Sequence, residues 1–452
     1  MKNKSLILAG FMAIFAACSC NEPKPNGGGD GEEVTVLPNH EIIYELNVRN
    51  YSPAGNFAGV TSDIARLKEL GVDILWLMPI HPIGVENRKG VKGSPYSVKN
   101  YLEINPDYGT ATDLKNLVAA AHKNGMKIII DWVANHTAWD NVWVSEHIDF
   151  YAVINGQRPA PAEQDWTDVV KLDYSNPELR STMIEAMKYW VQEFDIDGYR
   201  CDYTYGVPAN FWQEAITEVN AVKKCFFLSE GDDINRSKYF DCDYAWGFSN
   251  RLLEFAENQN VAALKNACTA LFNNSDYADL SRMVYITNHD LNAYHGTEFT
   301  RFGGNTLPMT ALFFTIYDMP LLYNGQEIGA NKSMGLFDVE KVVWQPVNSK
   351  IKSLIKKLID LKHSQPALEN GKGRGELTFY ATNNANVLVY SRKKNGNEVL
   401  VVLNFNNTAV EIAFAETAPS GEFANWLESG KTEFSLEKSI MLAGNGYQIF
   451  VK

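Results

Sequence analysis

Two hydrophobic rhythms alternate from Glu41 to Glu327. Short, nearly continuous apolar runs stand in "EIIYELNVRNYS", "DILWLMPI", "KIIIDWVANH", "DGYRCD", "CFFLSEG", "YFDCDYAW", "RMVYITNHD" and "MPLLYNGQE". Runs of that kind belong to parallel strands covered on both faces. Between most of them the spacing turns helical. "VTSDIARLKELGV" carries a Ser/Asp start signal, "GTATDLKNLVAAAHKNGM" opens on a capping threonine, and "NPELRSTMIEAMKYWVQEF" is amphipathic. Eight strands in β–α order predict an α/β fold, a (β/α)8 TIM barrel.

Two places break the rhythm. After the third strand, some forty residues at about 137–176 carry Trp139, Trp143 and Trp166 with little helical period. That length predicts a small inserted B subdomain. Beyond the helical stretch "VNSKIKSLIKKLIDLKHSQPAL" come "GELTFYA", "NVLVYSRKKNG", "EVLVVLNFNN", "TAVEIAF" and "GYQIFV", short strands with polar turns between them. These predict a C-terminal all-β sandwich at 371–452, after a barrel at 34–370.

Composition narrows the partners. The formal charge of −13 argues against nucleic acid, which needs a basic face. Twelve per cent of the chain is aromatic, which fits sugar-stacking platforms as well as an ordinary core. At the N-terminus, Lys2 and Lys4 precede the apolar run Leu6–Phe15, too short for a stable span. The run closes on "FAAC", small residues before Cys18 that resemble a bacterial lipoprotein signal. On that reading 1–17 is a signal peptide and Cys18 is lipidated; the alternative is ordinary secretion with cleavage near Ala17. Residues 18–33, rich in Pro, Gly and charge, predict a flexible tether. Cys201, Cys225, Cys242 and Cys268 are widely spaced with no CxxC pair, so buried free thiols are expected and a zinc site is not.

Chemistry in such a barrel sits at the C-terminal ends of its strands. Strand three ends in Asp131, Asn135 and His136, strand four in Arg200 and Asp202, strand five in Glu230, and strand seven in His289 and Asp290. One such carboxylate is commonly a helix cap. Three on one rim, with two imidazoles and a guanidinium, suit glycoside hydrolysis, where one carboxylate attacks and another gives a proton. Arg200 beside Asp202 favours an ionised nucleophile. Glu230, after the apolar "FFLS", suits the acid/base role. Asp290, with His289, is placed to bind sugar hydroxyls.

"DWVANH", "GYRCD", "LSEG" and "TNHD" together resemble the four short motifs of the α-amylase superfamily, glycoside hydrolase family 13. "GVDILWLMPI" and "MPLLYNGQEIG" support the resemblance, which runs from about Glu41 to Lys452. With the N-terminal signal it suggests a lipoprotein of Bacteroides type. "GSPYSVKNYLEINPDYGT" resembles the segment carrying a sugar-stacking tyrosine, here Tyr96. The resemblance implies retaining cleavage with Asp202 as nucleophile, Glu230 as acid/base and Asp290 as transition-state stabiliser. Arg200, His136 and His289 would bind the same sugar.

The chain also departs from the family. Many members place a Lys-His pair three and four positions after the nucleophile; here stand Tyr205 and Gly206. Tyr205 would offer an acceptor sugar a stacking face instead. The family's usual structural calcium takes an aspartate from a segment that "VVKLDYSNPE" resembles. Ungapped alignment puts Lys171 at that position, and Asp173 is the alternative if the alignment slips. A lysine cannot ligate calcium, so no cofactor is expected, and the Lys171 ammonium is expected to bond Asn135 and a carbonyl near Gly206.

The expected substrate is an α-1,4-linked glucan, starch or malto-oligosaccharide, cut by an endo-acting or oligosaccharide-trimming hydrolase. Transglycosylation, α-1,6 cleavage and a non-catalytic sugar-binding lipoprotein remain alternatives. The expected setting is an exported monomer, lipid-anchored to the cell envelope.

Overall fold

A computed structural model describes residues 36–163 and 165–452. The signal segment, Cys18 and the whole of the tether lie outside them. The strands of the N-terminal part are β1 (Ile43–Leu46), β2 (Ile74–Leu77), β3 (Lys127–Trp132), β4 (His136–Ala138), β5 (Val169–Lys171), β6 (Gly198–Cys201), β7 (Phe226–Ser229), β8 (Cys242–Tyr244), β9 (Ser281–Val284) and β10 (Met319–Tyr323). Eight of these close a parallel barrel in the order β1-β10-β9-β8-β7-β6-β3-β2. The other two, β4 and β5, pair with each other in the excursion after β3.

The strands alternate as parallel barrel strands should. Tyr44, Leu75, Leu77, Ile128, Ile130, Tyr199 and Phe227 face out beneath the helices. Ile43, Ile74, Trp76, Ile129, Leu228 and Met283 fill the barrel interior. The same interior parity then turns polar. Two residues beyond Ile43, Ile129 and Gly198 come Glu45, Asp131 and Arg200, all fully buried. A strand long enough to continue past the apolar plug therefore delivers charge to the mouth.

Helix starts follow their local signals. Thr110 accepts from the Asp113 N–H while Asp113 accepts in return, opening Ala111–Lys123. Asn176 accepts from the Glu178 and Leu179 N–H groups, with Pro177 at the first helical position, opening Pro177–Phe194. Among the described residues no helix is long and apolar enough to cross a membrane. Cys201, Cys225, Cys242 and Cys268 are buried free thiols, as their spacing suggested.

The C-terminal strands are β11 (Glu376–Tyr380), β12 (Val387–Lys394), β13 (Asn397–Asn404), β14 (Val410–Ile412), β15 (Gly421–Asn425), β16 (Lys431–Phe434), β17 (Ile440–Leu442) and β18 (Tyr447–Val451). Six form one antiparallel sheet, β11-β12-β13-β18-β15-β16, and β14 pairs with β17 to cover part of one face. Val389, Leu400, Phe450, Ile412 and Leu442 share the core between them. The sandwich is thus lopsided. Its other face meets the barrel's last helices: Thr315 Oγ1 bonds Tyr390 Oη at 2.6 Å, and Trp426 Nε1 donates to Lys357 O at 2.8 Å.

Candidate active site

Arg200 organises the mouth of the barrel. Its Nη1 meets Asp131 Oδ1 at 2.9 Å and Asp202 Oδ1 at 2.7 Å, and its Nη2 lies 2.8 Å from Glu230 Oε1. Its Nε donates to Tyr244 Oη at 3.2 Å. One guanidinium therefore joins carboxylates from β3 and from the turns after β6 and β7. Two are the nucleophile and acid/base candidates; Asp131 is a third and fully buried partner. The planar fork of arginine suits this, since a lysine could not reach the same set of oxygens.

Glu230 sits under opposing influences. Burial pushes its pKa up and Arg200 pulls it down, while Asp202 and Asp290 push it up again; the result lies at about 8. A carboxyl that keeps its proton near neutrality can donate it. Its Oε2 accepts the Tyr203 N–H at 2.6 Å. Tyr203 reaches that position only in the left-handed region, at φ 41° and ψ 55°. An L-residue there is strained, so the turn after Asp202 trades backbone strain for a fixed Glu230 carboxyl.

His289 and Asp290 are not at a strand end. Barrel strand β9 stops at Val284, and Asn288 caps a short helix, His289–His295, whose first turn holds both residues. The sequence "TNHD" follows an apolar run closely enough to hide the cap. His289 Nε2 lies 3.3 Å from Asp290 Oδ2 and 2.9 Å from Tyr96 Oη. Tyr96 stacks on the imidazole with ring centroids 5.4 Å apart and donates to Asp131 Oδ2 at 3.1 Å. Trp76 Nε1 donates to the same oxygen at 3.1 Å. Tyr96, His289, Asp290, Arg200, Asp202 and Glu230 thus form one connected set.

His136 joins from the excursion, likewise beyond the end of its barrel strand. Its Nδ1 accepts from Asn135 Nδ2 at 3.1 Å, and burial lowers its pKa. The amide is turned that way because its Oδ1 accepts from the Lys171 ammonium. Lys171 also donates to Gly206 O at 2.9 Å. A cation from the excursion thereby fixes an amide, and the amide leaves His136 with its proton on Nε2. Gly206 permits the approach: a Cβ there would lie 1.9 Å from Asn135 Oδ1. These residues do not fit a calcium ion, because an ammonium occupies the oxygens such an ion would need. Among the described residues no group of three or more His, Cys, Asp or Glu gathers as a metal site.

Tyr205 stands apart from the carboxylates. It is 41% exposed, its hydroxyl accepts from the Asp232 N–H at 2.6 Å, and Arg236 lies over its ring at 5.9 Å. Tyr203, whose N–H bonds Glu230, meets the Trp166 ring edge to face at 5.0 Å. Glu45 also belongs to the site through His289, and the sequence reading passed over it.

The alpha-amylase catalytic-domain model matches residues 26–367, and the alpha-amylase C-terminal all-beta model matches 380–450. A maltogenic alpha-amylase of Bacillus acidopullulyticus is 26% identical over 94% of this chain and 75% of its own length. Two solved structures are each 30% identical, covering 92% of this chain and 99% of theirs. They are an alpha-amylase from Lactobacillus plantarum, TM-score 0.82, and the noncanonic maltogenic alpha-amylase AmyB from Thermotoga neapolitana, TM-score 0.81.

Proposed function

This chain belongs to the alpha-amylase family and is an amylase-type glycoside hydrolase of α-glucans, and from that premise we propose that it cleaves α-1,4-glucosidic bonds in starch or malto-oligosaccharides with retention of configuration. The carrying observation is the Arg200 fork, which holds Asp202 and Glu230 side by side. In this reading the Asp202 carboxylate attacks the anomeric carbon as Glu230 gives its proton to the departing glycosidic oxygen. The Glu230 carboxylate then takes a proton from water, which attacks the glycosyl–Asp202 ester and frees the carboxylate. Asp290 accepts hydrogen bonds from the sugar hydroxyls, which tighten as the ring flattens, and Tyr96 stacks on the same sugar.

Asp202→Asn and Glu230→Gln are each expected to lower kcat on maltoheptaose by about three orders of magnitude or more while circular dichroism stays unchanged. NMR of the first product should show the α anomer; an initial β anomer would defeat the double displacement. Because Glu230 must hold its proton, kcat/KM should fall as pH rises through about 8. A product profile on amylose, pullulan and short maltodextrins separates α-1,4 hydrolysis from transfer and from α-1,6 cleavage.

We further propose export and lipid attachment at Cys18, supported by "FAAC" and the Pro/Gly-rich stretch behind it, with the chain acting as a monomer and without calcium beside Asn135. Cys18→Ala should release the protein from the membrane fraction, and unchanged partition would refute the anchor.

A further inference from the structure

Glu45 has no role in the chemistry above, yet it is a fully buried carboxyl. It lies on β1 with no exposed surface. Among the described residues its hydrogen-bond partners are both on His289: the ring Nδ1 meets its Oε1, and the backbone N–H donates to its Oε2 at 3.3 Å. A carboxylate taken fully out of water is very unfavourable unless a cation answers it. Arg200 is committed to three other carboxylates. The imidazole is what remains.

The second ring nitrogen points the same way. His289 Nε2 faces Asp290 Oδ2 at 3.3 Å and Tyr96 Oη at 2.9 Å, and Tyr96 has its own proton directed at Asp131. Glu45 and Asp290 can only accept when ionised, and the tyrosine oxygen is left as an acceptor too. Nδ1 and Nε2 thus each face a carboxyl oxygen, and the doubly protonated ring gives a proton to both sides. We propose that Glu45 is a positioning residue that holds His289 as a permanent imidazolium, so that the ring presents Asp290 and the substrate hydroxyls with a charged donor throughout the working pH range.

The groups facing the ring are Glu45 from β1, Asp290 from its own helix, Tyr96 from the loop after β2, Asp131 from β3 behind Tyr96, and Arg200 from β6. Burial and Arg200 act against the charge, and Asp290 and Glu45 for it; the balance puts the imidazole at about 9. Burial raises Glu230 as well, to about 8, so ring and acid hold their protons over the same neutral range. His136, buried against an amide donor, is held in the opposite state. The kinetic part of the inference rests on Asp290 binding sugar; the titration does not.

The test begins with the unmodified enzyme. Nitrogen-15 NMR of histidine-labelled protein should show both His289 nitrogens protonated at pH 7, with assignment by loss of the signal in His289→Asn. A neutral His289 in the folded wild type at pH 7 overturns the proposal without any change at Glu45. In Glu45→Gln, which keeps an acceptor but not the charge, the His289 pKa should fall by about two to three units, to near the free-imidazole value. Its kcat at pH 7.5 should drop about tenfold with a smaller change in KM, and should recover toward wild type at pH 5.5, where the ring charges unaided. An equal loss at both pH values, or an unmoved His289 titration, means that Glu45 only fills space. An anomer assay showing inversion would sink the hydrolytic reading and leave the titration result standing.

Discussion

Arg200 and Arg392 are both wholly buried, and the protein satisfies them in opposite ways. Arg200, at the cleft, meets Asp131, Asp202 and Glu230. Arg392, on β12 at the seam between barrel and C-terminal sheet, lies over the Phe272 ring at 5.0 Å and sends its hydrogen bonds to backbone carbonyls alone. Its Nε donates to Gly375 O at 3.2 Å, and its Nη1 donates to Thr315 O at 3.2 Å and Tyr317 O at 3.1 Å. Burial disfavours both charges. At Arg200 the carboxylates outweigh it and raise the pKa; at Arg392 burial prevails and lowers it to about 10. Carbonyls cannot ionise, so the seam arginine forms a staple whose partners never change state. Carboxylates can, so the cleft arginine anchors groups able to trade protons. A buried cation alone says little about function; the titratability of its partners says more.

The comparison breaks if the two arginines behave alike. Arg200→Met should lower kcat by about a thousandfold, as loss of a preorganised charge at a reacting centre does, and Arg200→Lys should restore little of it. Steady-state rates on maltoheptaose measure this. Arg392→Met should leave kcat within about twofold while urea unfolding loses about 1–3 kcal/mol, the penalty of orphaned carbonyls. A kcat loss at Arg392 comparable to that at Arg200 would erase the distinction. The smallest effect sharpens the contrast with a third cation. Lys171→Met should lose about 1 kcal/mol and raise KM modestly, because Asn135 no longer holds His136. Chelator should leave the melting temperature of the wild type unchanged, and stabilisation by micromolar calcium, with an ion found on Asn135 and Asp173, would contradict the Lys171 assignment.

The barrel was legible because its strands are apolar on both faces and separated by capped helices. Arg200 and Asp202 were legible because a period of two puts both on one side of a short strand. Glu45 was not, since its partner lies 244 residues away and a lone acid in an apolar strand looks like a terminus or a cap. Asp131 was visible at its strand end, but its sharing of Arg200 with Glu230 depends on barrel closure, which no local pattern states. Tyr203 has a strained backbone that leaves no trace in residue type. Tyr205 was expected to face a sugar. Its hydroxyl accepts from the Asp232 N–H, and Arg236 lies over its ring, contacts no local pattern announced. Lys171 was readable because one lysine fell where an oxygen ligand was expected.

That lysine changes what kind of quantity holds the excursion to the barrel. A bound ion has a dissociation constant, and the fraction of molecules carrying it follows the medium. Lys171 has no such fraction. It is translated with the chain, stands at one per molecule, and cannot be diluted away or competed off. The bond from β5 to Asn135 and the carbonyl of Gly206 is therefore saturated in every copy from the moment of folding. A population of this enzyme holds no mixture of loaded and empty forms at that joint.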